Sequence, residues 1–179
     1  MIYWTKDVVV DPLDASGNTW FACVFTEWGM TRQDGGPSRG GLYRTTDRGV
    51  TWSPRLDGIA HDADMAGEAR VESISILPRF PSRSGIDDAN GGATAADVYL
   101  TTEGAGLWHS VYSPAATARG AGRNDDPPQD DPVLSFASVP SYPFNHPLRV
   151  MANPYNRSEV WVSSFGNGLY LGVTPPKGS

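Results

Sequence analysis

The chain has 179 residues, enough for one ordinary domain, and a net charge of −6. Its 14 basic residues are scattered, which argues against a nucleic-acid partner, and no apolar run approaches the ~18 residues of a membrane-spanning segment. Twenty glycines, 15 prolines and six tryptophans, without helical apolar spacing, predict an all-β fold rich in turns. The single cysteine, Cys23, lies in the apolar run 20–25 and is expected to pack as a small hydrophobic residue.

Three units with the same order of strand signals follow one another. Each begins with an apolar strand ending near a proline, continues with an alternating strand, and turns at glycine into a third strand. Triplets of Gly, Leu and an aromatic residue start at 41, 106 and 168, which gives periods of 65 and 62 residues. The signals occupy 8–12, 19–24 and 41–45 in the first unit, 74–78, 97–102 and 106–110 in the second, and 150–154, 159–164 and 168–172 in the third. Fourth strands are expected at 51–56 and 133–139.

Four short antiparallel strands at such a period are typical of β-propeller blades. Three similar hairpins in a sandwich would explain the alternation, but not the ordered recurrence of all three signals. We therefore expect three four-stranded antiparallel units, with blades at about 7–56, 70–139 and 148–174, the last one incomplete. Three blades leave open sheet edges, so we expect a larger propeller, completed by its remaining blades, by another chain or by self-association.

A self-contained loop is predicted after the third strand of the first unit. Residues 45–52 read Thr-Thr-Asp-Arg-Gly-Val-Thr-Trp. The Asp47 carboxylate is expected to accept backbone N–H groups of its own loop, and Gly49 to adopt a positive φ. Thr51 and Trp52 then open the next strand, with the indole beneath the loop. Such a loop satisfies its own polar groups, so Thr45, Asp47, Gly49, Thr51 and Trp52 are assigned a structural role.

With this motif and these repeats, the chain resembles the Asp-box (BNR-like) propeller group. The sequence pattern of the units is closest to that of the xyloglucanase and sortilin-type propellers. At the level of the blade, the resemblance covers nearly the whole chain. It implies an extracellular or periplasmic location. Xyloglucanase-like relatives resemble inverting hydrolases with two aspartates across a cleft, and sialidases need an arginine cluster with a tyrosine nucleophile. No stretch of this chain matches either set, and no zinc-ligand spacing or cofactor motif is present.

The same resemblance implies that the strand 2–3 and strand 4–1 loops share one end of the blades, with the 45–52 loop at the other end. Aromatic rings beside charged groups at that shared end would suit a sugar or a peptide, because ring faces stack on C–H surfaces while carboxylates accept from hydroxyl or amine donors. Simple loop packing is the alternative reading of the aromatic residues. The candidate ligand-binding residues are Glu27, Trp28, Arg32, Tyr142, Phe144, Phe165 and Asn167.

Acidic residues in the same loops are the candidates for catalysis. Asp62 and Asp64 alternate along a loop and could point both carboxylates one way, as an acid/base pair or a hard-cation site requires, although solvated loop acids are commoner. Glu103 is the third candidate. Because catalytic motifs are absent, we expect a non-catalytic module that binds a carbohydrate or a protein. The alternatives are a fragment of a xyloglucanase-like or sialidase-like glycoside hydrolase, and a structural subunit of a larger complex.

Overall fold

A computed structural model describes residues 3–26, 41–54, 71–79, 93, 95–113, 134–156 and 158–173. Over these ranges the chain is all-β and contains no helix, as the composition predicted. The strands form three small antiparallel sheets, each of which pairs strands that follow one another in sequence.

The first sheet contains β1 (Tyr3–Val10), β2 (Trp20–Thr26), β3 (Gly41–Thr45) and β4 (Ser53–Pro54). The second contains β5 (Val71–Arg79), β6 (Ala95–Thr102), β7 (Leu107–Tyr112) and β8 (Ala137–Ser138). The third contains β9 (Pro147–Ala152), β10 (Glu159–Ser164) and β11 (Gly168–Val173). Within the described residues, the fourth strands cover 53–54 of the predicted 51–56 and 137–138 of the predicted 133–139.

All three sheets share one pairing register. Val9 pairs with Phe21, Ser75 with Tyr99, and Met151 with Trp161. Two residues later in each second strand, the partner is the leucine of the Gly-Leu-aromatic triplet: Leu42 pairs with Cys23, Leu107 with Thr101, and Leu169 with Ser163. Residues at matching places in this register are called equivalent positions below.

The second sheet lies between the other two and is buried on both faces. Alternate residues of β6 serve the two sides, because successive side chains of a strand point to opposite faces. Val98 and Leu100 join the core shared with the first sheet, which also holds Phe21 and the fully buried Cys23. Tyr99 joins the core shared with the third sheet. The prediction that Cys23 packs as a hydrophobic residue is confirmed, and burial raises the pKa of its thiol well above the usual value.

The two contacts between sheets repeat the same relation. Strand β5 packs against β1 and β2, and β9 packs against β5 and β6. The first strand of each later sheet therefore lies beside the first two strands of the sheet before it, and β1, β5 and β9 adjoin in order.

Candidate ligand-binding site

Six polar side chains meet where the first strands of the three sheets adjoin. This group, called the hub cluster, consists of Lys6, Asp7, Glu72, Ser73, His146 and Arg149. Asp7, Ser73 and Arg149 are equivalent positions, since they pair with Cys23, Thr101 and Ser163 at the same place in each register. Three repeats thus contribute the same position to one cluster.

The side chains of the hub cluster are joined across all three sheets. Asp7 Oδ2 accepts a hydrogen bond from the Ser73 hydroxyl at 2.7 Å and another from an Arg149 guanidinium N–H at 2.6 Å. A second pair of contacts involves Glu72, whose carboxylate lies 3.4 Å from Lys6 Nζ and 3.9 Å from His146 Nε2. Arg149 is half exposed while Asp7 and Glu72 are largely covered, so the carboxylates lie deeper than the cations.

Irregular pairing places these residues at the hub. The ladder of β1 and β2 shifts register between Thr5 and Asp7, and that of β5 and β6 shifts between Val71 and Ser73. The residues at these shifts are Lys6 and Glu72. A bulge re-aims the side chains of the strand that carries it, and the two bulge residues contact each other in the hub cluster.

Two turns of matching sequence border the hub cluster. Residues 102–106 read Thr-Glu-Gly-Ala-Gly, and residues 164–168 read Ser-Phe-Gly-Asn-Gly. Both glycines have positive φ in each turn: 92° and 76° at Gly104 and Gly106, and 79° and 76° at Gly166 and Gly168. Side chains other than glycine rarely adopt this conformation, so the two turns follow the same path. Glu103 and Phe165 are therefore equivalent.

The loop that leads into β9 holds both turns in place. The N–H groups of Gly104 and Gly106 donate to the Asn145 carbonyl, each at 3.0 Å, and the Phe165 N–H donates to the His146 carbonyl at 3.0 Å. The strand 2–3 turns and this strand 4–1 loop therefore lie at one end of the sheets, the end at which the first strands begin. We call it the entry end.

The entry end combines an exposed ring with an unsatisfied carboxylate oxygen. The Phe165 side chain is 68% exposed, and its ring centroid lies 5.3 Å from that of His146 at an angle of 31°. Glu103 Oε2 is buried and has no hydrogen-bond partner within the described part of the chain. A buried polar atom without a partner costs about 1–3 kcal/mol, so a donor supplied by a ligand would relieve that cost.

The structure places the other described candidates in different surroundings. Asn167 is exposed in the second of the two turns, where its amide approaches the Phe165 carbonyl. Tyr142 is buried, its hydroxyl bonds the Ser164 hydroxyl, and its ring packs edge-on against Phe144 and Tyr170. Tyr142 thus occupies the position that loop packing predicts. Glu27, Trp28, Arg32, Asp62 and Asp64 lie outside the described residues.

In the 45–52 loop the Asp47 carboxylate accepts a backbone N–H of its own loop, as the sequence predicted, and two threonine hydroxyls in addition. Asp47 accepts from the Thr45 hydroxyl at 2.6 Å and from the Thr51 N–H at 2.9 Å and hydroxyl at 2.6 Å. These bonds lower the pKa of Asp47 to about 2. Gly49 has φ 87°, and its carbonyl accepts from the Trp52 indole at 3.1 Å. The loop lies at the end opposite the entry end, and Arg48 also donates from its N–H to the Asn18 carbonyl at 3.0 Å. These contacts are consistent with a structural role.

A second loop of the same kind was missed in the sequence. Asp14 accepts from the Ser16 hydroxyl at 2.6 Å and from the N–H groups of Ser16 and Thr19 at 2.9 and 2.8 Å. These bonds, the one from the Ser16 side chain above all, hold the pKa of the Asp14 carboxyl far below the usual value. The Trp20 indole donates to the Gly17 carbonyl at 2.9 Å, as Trp52 does to Gly49. The signal was the Gly-x-Thr-Trp shared by 17–20 and 49–52.

Two further polar groups lie at the end opposite the hub cluster. Tyr112 donates to the buried Asp11 at 2.8 Å, and its burial followed by this bond raises the pKa of the phenol. Burial would raise the pKa of Asp97, but hydrogen bonds from His109 and Arg79 hold it below its usual value. In each group the hydrogen bonds join residues in or directly after different strands, so both groups are structural.

A cavity of about 500 Å³ lies between the outer strands of the second and third sheets. Its lining includes Tyr99, His109, Tyr142 and Tyr170. At the first interface between sheets, Leu134 and Phe136, just before β8, join the core. No corresponding segment of the third sheet is among the described residues. The cavity is therefore no basis for assigning a ligand site.

Comparison with protein-family models, curated proteins and solved structures finds no match to this chain. In the described ranges no three His, Cys, Asp or Glu side chains are grouped to hold a metal ion. The described residues also contain no helix long and apolar enough to cross a lipid bilayer.

Proposed function

We propose that the chain is a non-catalytic binding module, a wedge of three propeller blades that holds a carbohydrate at its entry end. The membership in the Asp-box group expected from the sequence belongs to this proposal, as does an extracellular or periplasmic location, where polysaccharide ligands occur.

The bond between Asp7 and Arg149 supports the wedge. These residues belong to the first and third sheets, which have the second sheet between them. If the three sheets were stacked face to face, the outer two would lie about 20 Å apart, twice the ~10 Å spacing of packed sheets. Two side chains could not bridge that gap with a 2.6 Å hydrogen bond. The contact therefore favours sheets that converge at their first strands and spread outwards.

The chemistry of the entry end supports a sugar ligand. Sugars present apolar C–H faces that stack on aromatic rings and hydroxyl groups that need acceptors. Phe165 offers an exposed ring supported by His146, and Glu103 and Glu72 offer carboxylates. The observation that carries the proposal is the buried and unpartnered Oε2 of Glu103 at the position equivalent to Phe165, because a hydroxyl donor would satisfy it.

Binding to soluble polysaccharides tests the proposal. Calorimetric titration with xyloglucan fragments, cello-oligosaccharides and sialyl oligosaccharides is expected to give saturable binding to at least one of them, without new reducing ends. Phe165→Ala should weaken that binding about tenfold or more, since burying a phenylalanine side chain contributes about 1.5–3 kcal/mol. Tyr155→Ala is the matched control, because Tyr155 is exposed in the turn between β9 and β10, away from the entry end. Equal loss in both variants, or no binding to any sugar, would contradict the proposal.

A glycoside hydrolase is the second candidate, and the same carboxylate favours it. Glycoside hydrolases use a carboxyl side chain as general acid, and Glu103 is the described carboxyl candidate for that role at the entry end. If reducing sugar is released and Glu103→Gln abolishes the release but retains binding, the chain is an enzyme and not a binding module.

A protein ligand is supported if no sugar binds and if a protein complex is purified that Phe165→Ala disrupts.

A further inference from the structure

We infer that the partner of this chain is a second copy of itself, joined head to tail so that the third sheet of each copy packs on the first sheet of the other. The result is a closed ring of six sheets. This inference rests on the wedge arrangement proposed above and names the partner that completes it.

The free face of the first sheet carries the positions that, in the second and third sheets, pack on the sheet before them. Val8 is equivalent to Ile74 and Val150, because all three follow directly after the hub residues Asp7, Ser73 and Arg149. Ile74 and Val150 pack against the sheet before them and are 1% and 3% exposed, whereas Val8 is 50% exposed. The next outward-facing residue, Val10, is as exposed as Val8.

The free face of the third sheet carries the positions that, in the first and second sheets, pack on the sheet after them. The leucines of the three Gly-Leu-aromatic triplets are equivalent. Leu42 and Leu107 are buried in the cores of the first and second interfaces, at 1% and 5% exposure, but Leu169 is 57% exposed. Trp161 and Leu171 continue this face, since Trp161 is equivalent to Phe21 and Tyr99 and pairs with Leu171.

The two free faces therefore hold, at equivalent positions, the two sides of the interface that joins neighbouring sheets. At both existing interfaces the triplet leucine of one sheet and the first-strand aliphatic residue of the next belong to one core: Leu42 with Ile74, and Leu107 with Val150. Continuing the series pairs Leu169 with Val8 of a second copy. One chain therefore carries both halves of the interface that a second copy would form.

The hub charges fit the same junction. At the first interface the equivalent residues Asp7 and Ser73 are hydrogen-bonded. The next junction would bring Arg149 of one copy beside Asp7 of the other, a pair of opposite charges. Each Asp7 would then lie between two arginines, one from each copy, and the partner would complete the hub cluster of the binding site.

The number of sheets favours two copies. A head-to-tail contact generates a ring when its rotation closes, and propellers close with about four to eight blades. Two chains of three sheets give six blades. Three chains would give nine, which is beyond that range.

Native mass and paired variants test the inference. The wild-type chain should sediment at twice its 19.3 kDa mass. Val8→Lys and Leu169→Glu should each reduce the mass to that of a single chain, because each places a charge in both new interfaces. Mixing the two variants should restore the doubled mass, since one interface is then intact and the other pairs Lys with Glu. Val50→Lys, at an exposed apolar residue of the 45–52 loop, is the control and should keep the doubled mass. Circular dichroism checks that each variant is folded.

A single-chain mass for the wild type would overturn the inference, whatever the variants do. It would also be overturned by a dimer that only one of the two faces affects, by a mixture that stays monomeric, by loss of the dimer in Val50→Lys, or by a larger or open assembly. The outcome is separable from that of the binding proposal. A dimer that binds no sugar contradicts the ligand alone, and a sugar-binding monomer contradicts the ring alone.

Discussion

Removing one hydroxyl group, in Tyr112→Phe, should destabilise the contact between the first and second sheets. The Tyr112 hydroxyl donates to Asp11 Oδ2 at 2.8 Å, and both residues are almost fully buried although they are 101 positions apart in sequence. The Leu13 N–H, at 2.8 Å from Oδ1, would remain as a donor to the carboxylate. The substitution keeps the ring and its edge-on contact with Phe21, so the loss is confined to the hydrogen bond.

The expected magnitude follows from the charge of the acceptor. A hydrogen bond to a charged group contributes about 1.5–3 kcal/mol, so we expect the free energy of unfolding to fall by about 2 kcal/mol. For a chain of this length, such a change lowers the melting temperature by roughly 4–8 °C. Urea denaturation followed by circular dichroism, at one fixed protein concentration, should show a lower midpoint and an unchanged slope.

The matched control is Tyr155→Phe, whose hydroxyl belongs to a fully exposed side chain. That variant should unfold within about 0.5 kcal/mol of the wild type, as surface substitutions usually do. If Tyr112→Phe behaved like the control, the buried bond between the two sheets would contribute nothing. The packing of the first sheet on the second would then need another explanation.

Two further predictions concern the loop and the core. Hydrogen bonds from Thr45 and Thr51 lower the pKa of Asp47 to about 2. Its contribution to stability is therefore present above its unfolded pKa of about 3.9 and is lost as the pH falls towards 2. In the wild type the urea midpoint should fall with pH over this interval, and in Asp47→Asn it should fall less steeply. Equal slopes for variant and wild type would contradict the hydrogen bonds to the Asp47 carboxylate. Leu100→Ala, in the fully buried middle of the second sheet, should cost about 2–5 kcal/mol of unfolding free energy, whereas Leu148→Ala, at an exposed leucine, should cost less than about 1 kcal/mol; equal costs would mean that the second sheet is not enclosed.

The sequence predicted those parts of the fold whose residue types recur. The Gly-Leu-aromatic triplets and the alternating second strands have one periodicity, and they mark β2, β6 and β10 and the strands that follow them. For the 45–52 loop the sequence predicted that Asp47 accepts a backbone N–H and that Gly49 has a positive φ, because Asp and Gly have local roles in turns, but it did not predict the bonds from the Thr45 and Thr51 hydroxyls. Local chemistry and period-two alternation are properties that a sequence displays directly.

The hub cluster was not predictable, and the reason lies in its composition. Its equivalent positions hold Asp7, Ser73 and Arg149, which share a register but no residue type. They complement one another across sheets, so no repeat appears in the sequence. The bulges that bring out Lys6 and Glu72 have no sequence signal of their own either. Of the candidate ligand residues chosen by loop position, Phe165 is exposed whereas Tyr142 is buried.

Interspin distances measure the convergence of the sheets most directly. Spin labels at Lys6→Cys and Leu148→Cys mark first strands of the outer sheets at the hub, and labels at Ser53→Cys and Leu171→Cys mark the outermost described strands of the same sheets. Cys23 is fully buried and is not expected to take up label. Dilution with unlabelled chain removes distances between copies. If the sheets converge, the hub distance is well below, and the rim distance well above, the roughly 20 Å that separates the outer layers of a face-to-face stack. Similar distances of about 20 Å at both places would contradict this convergence.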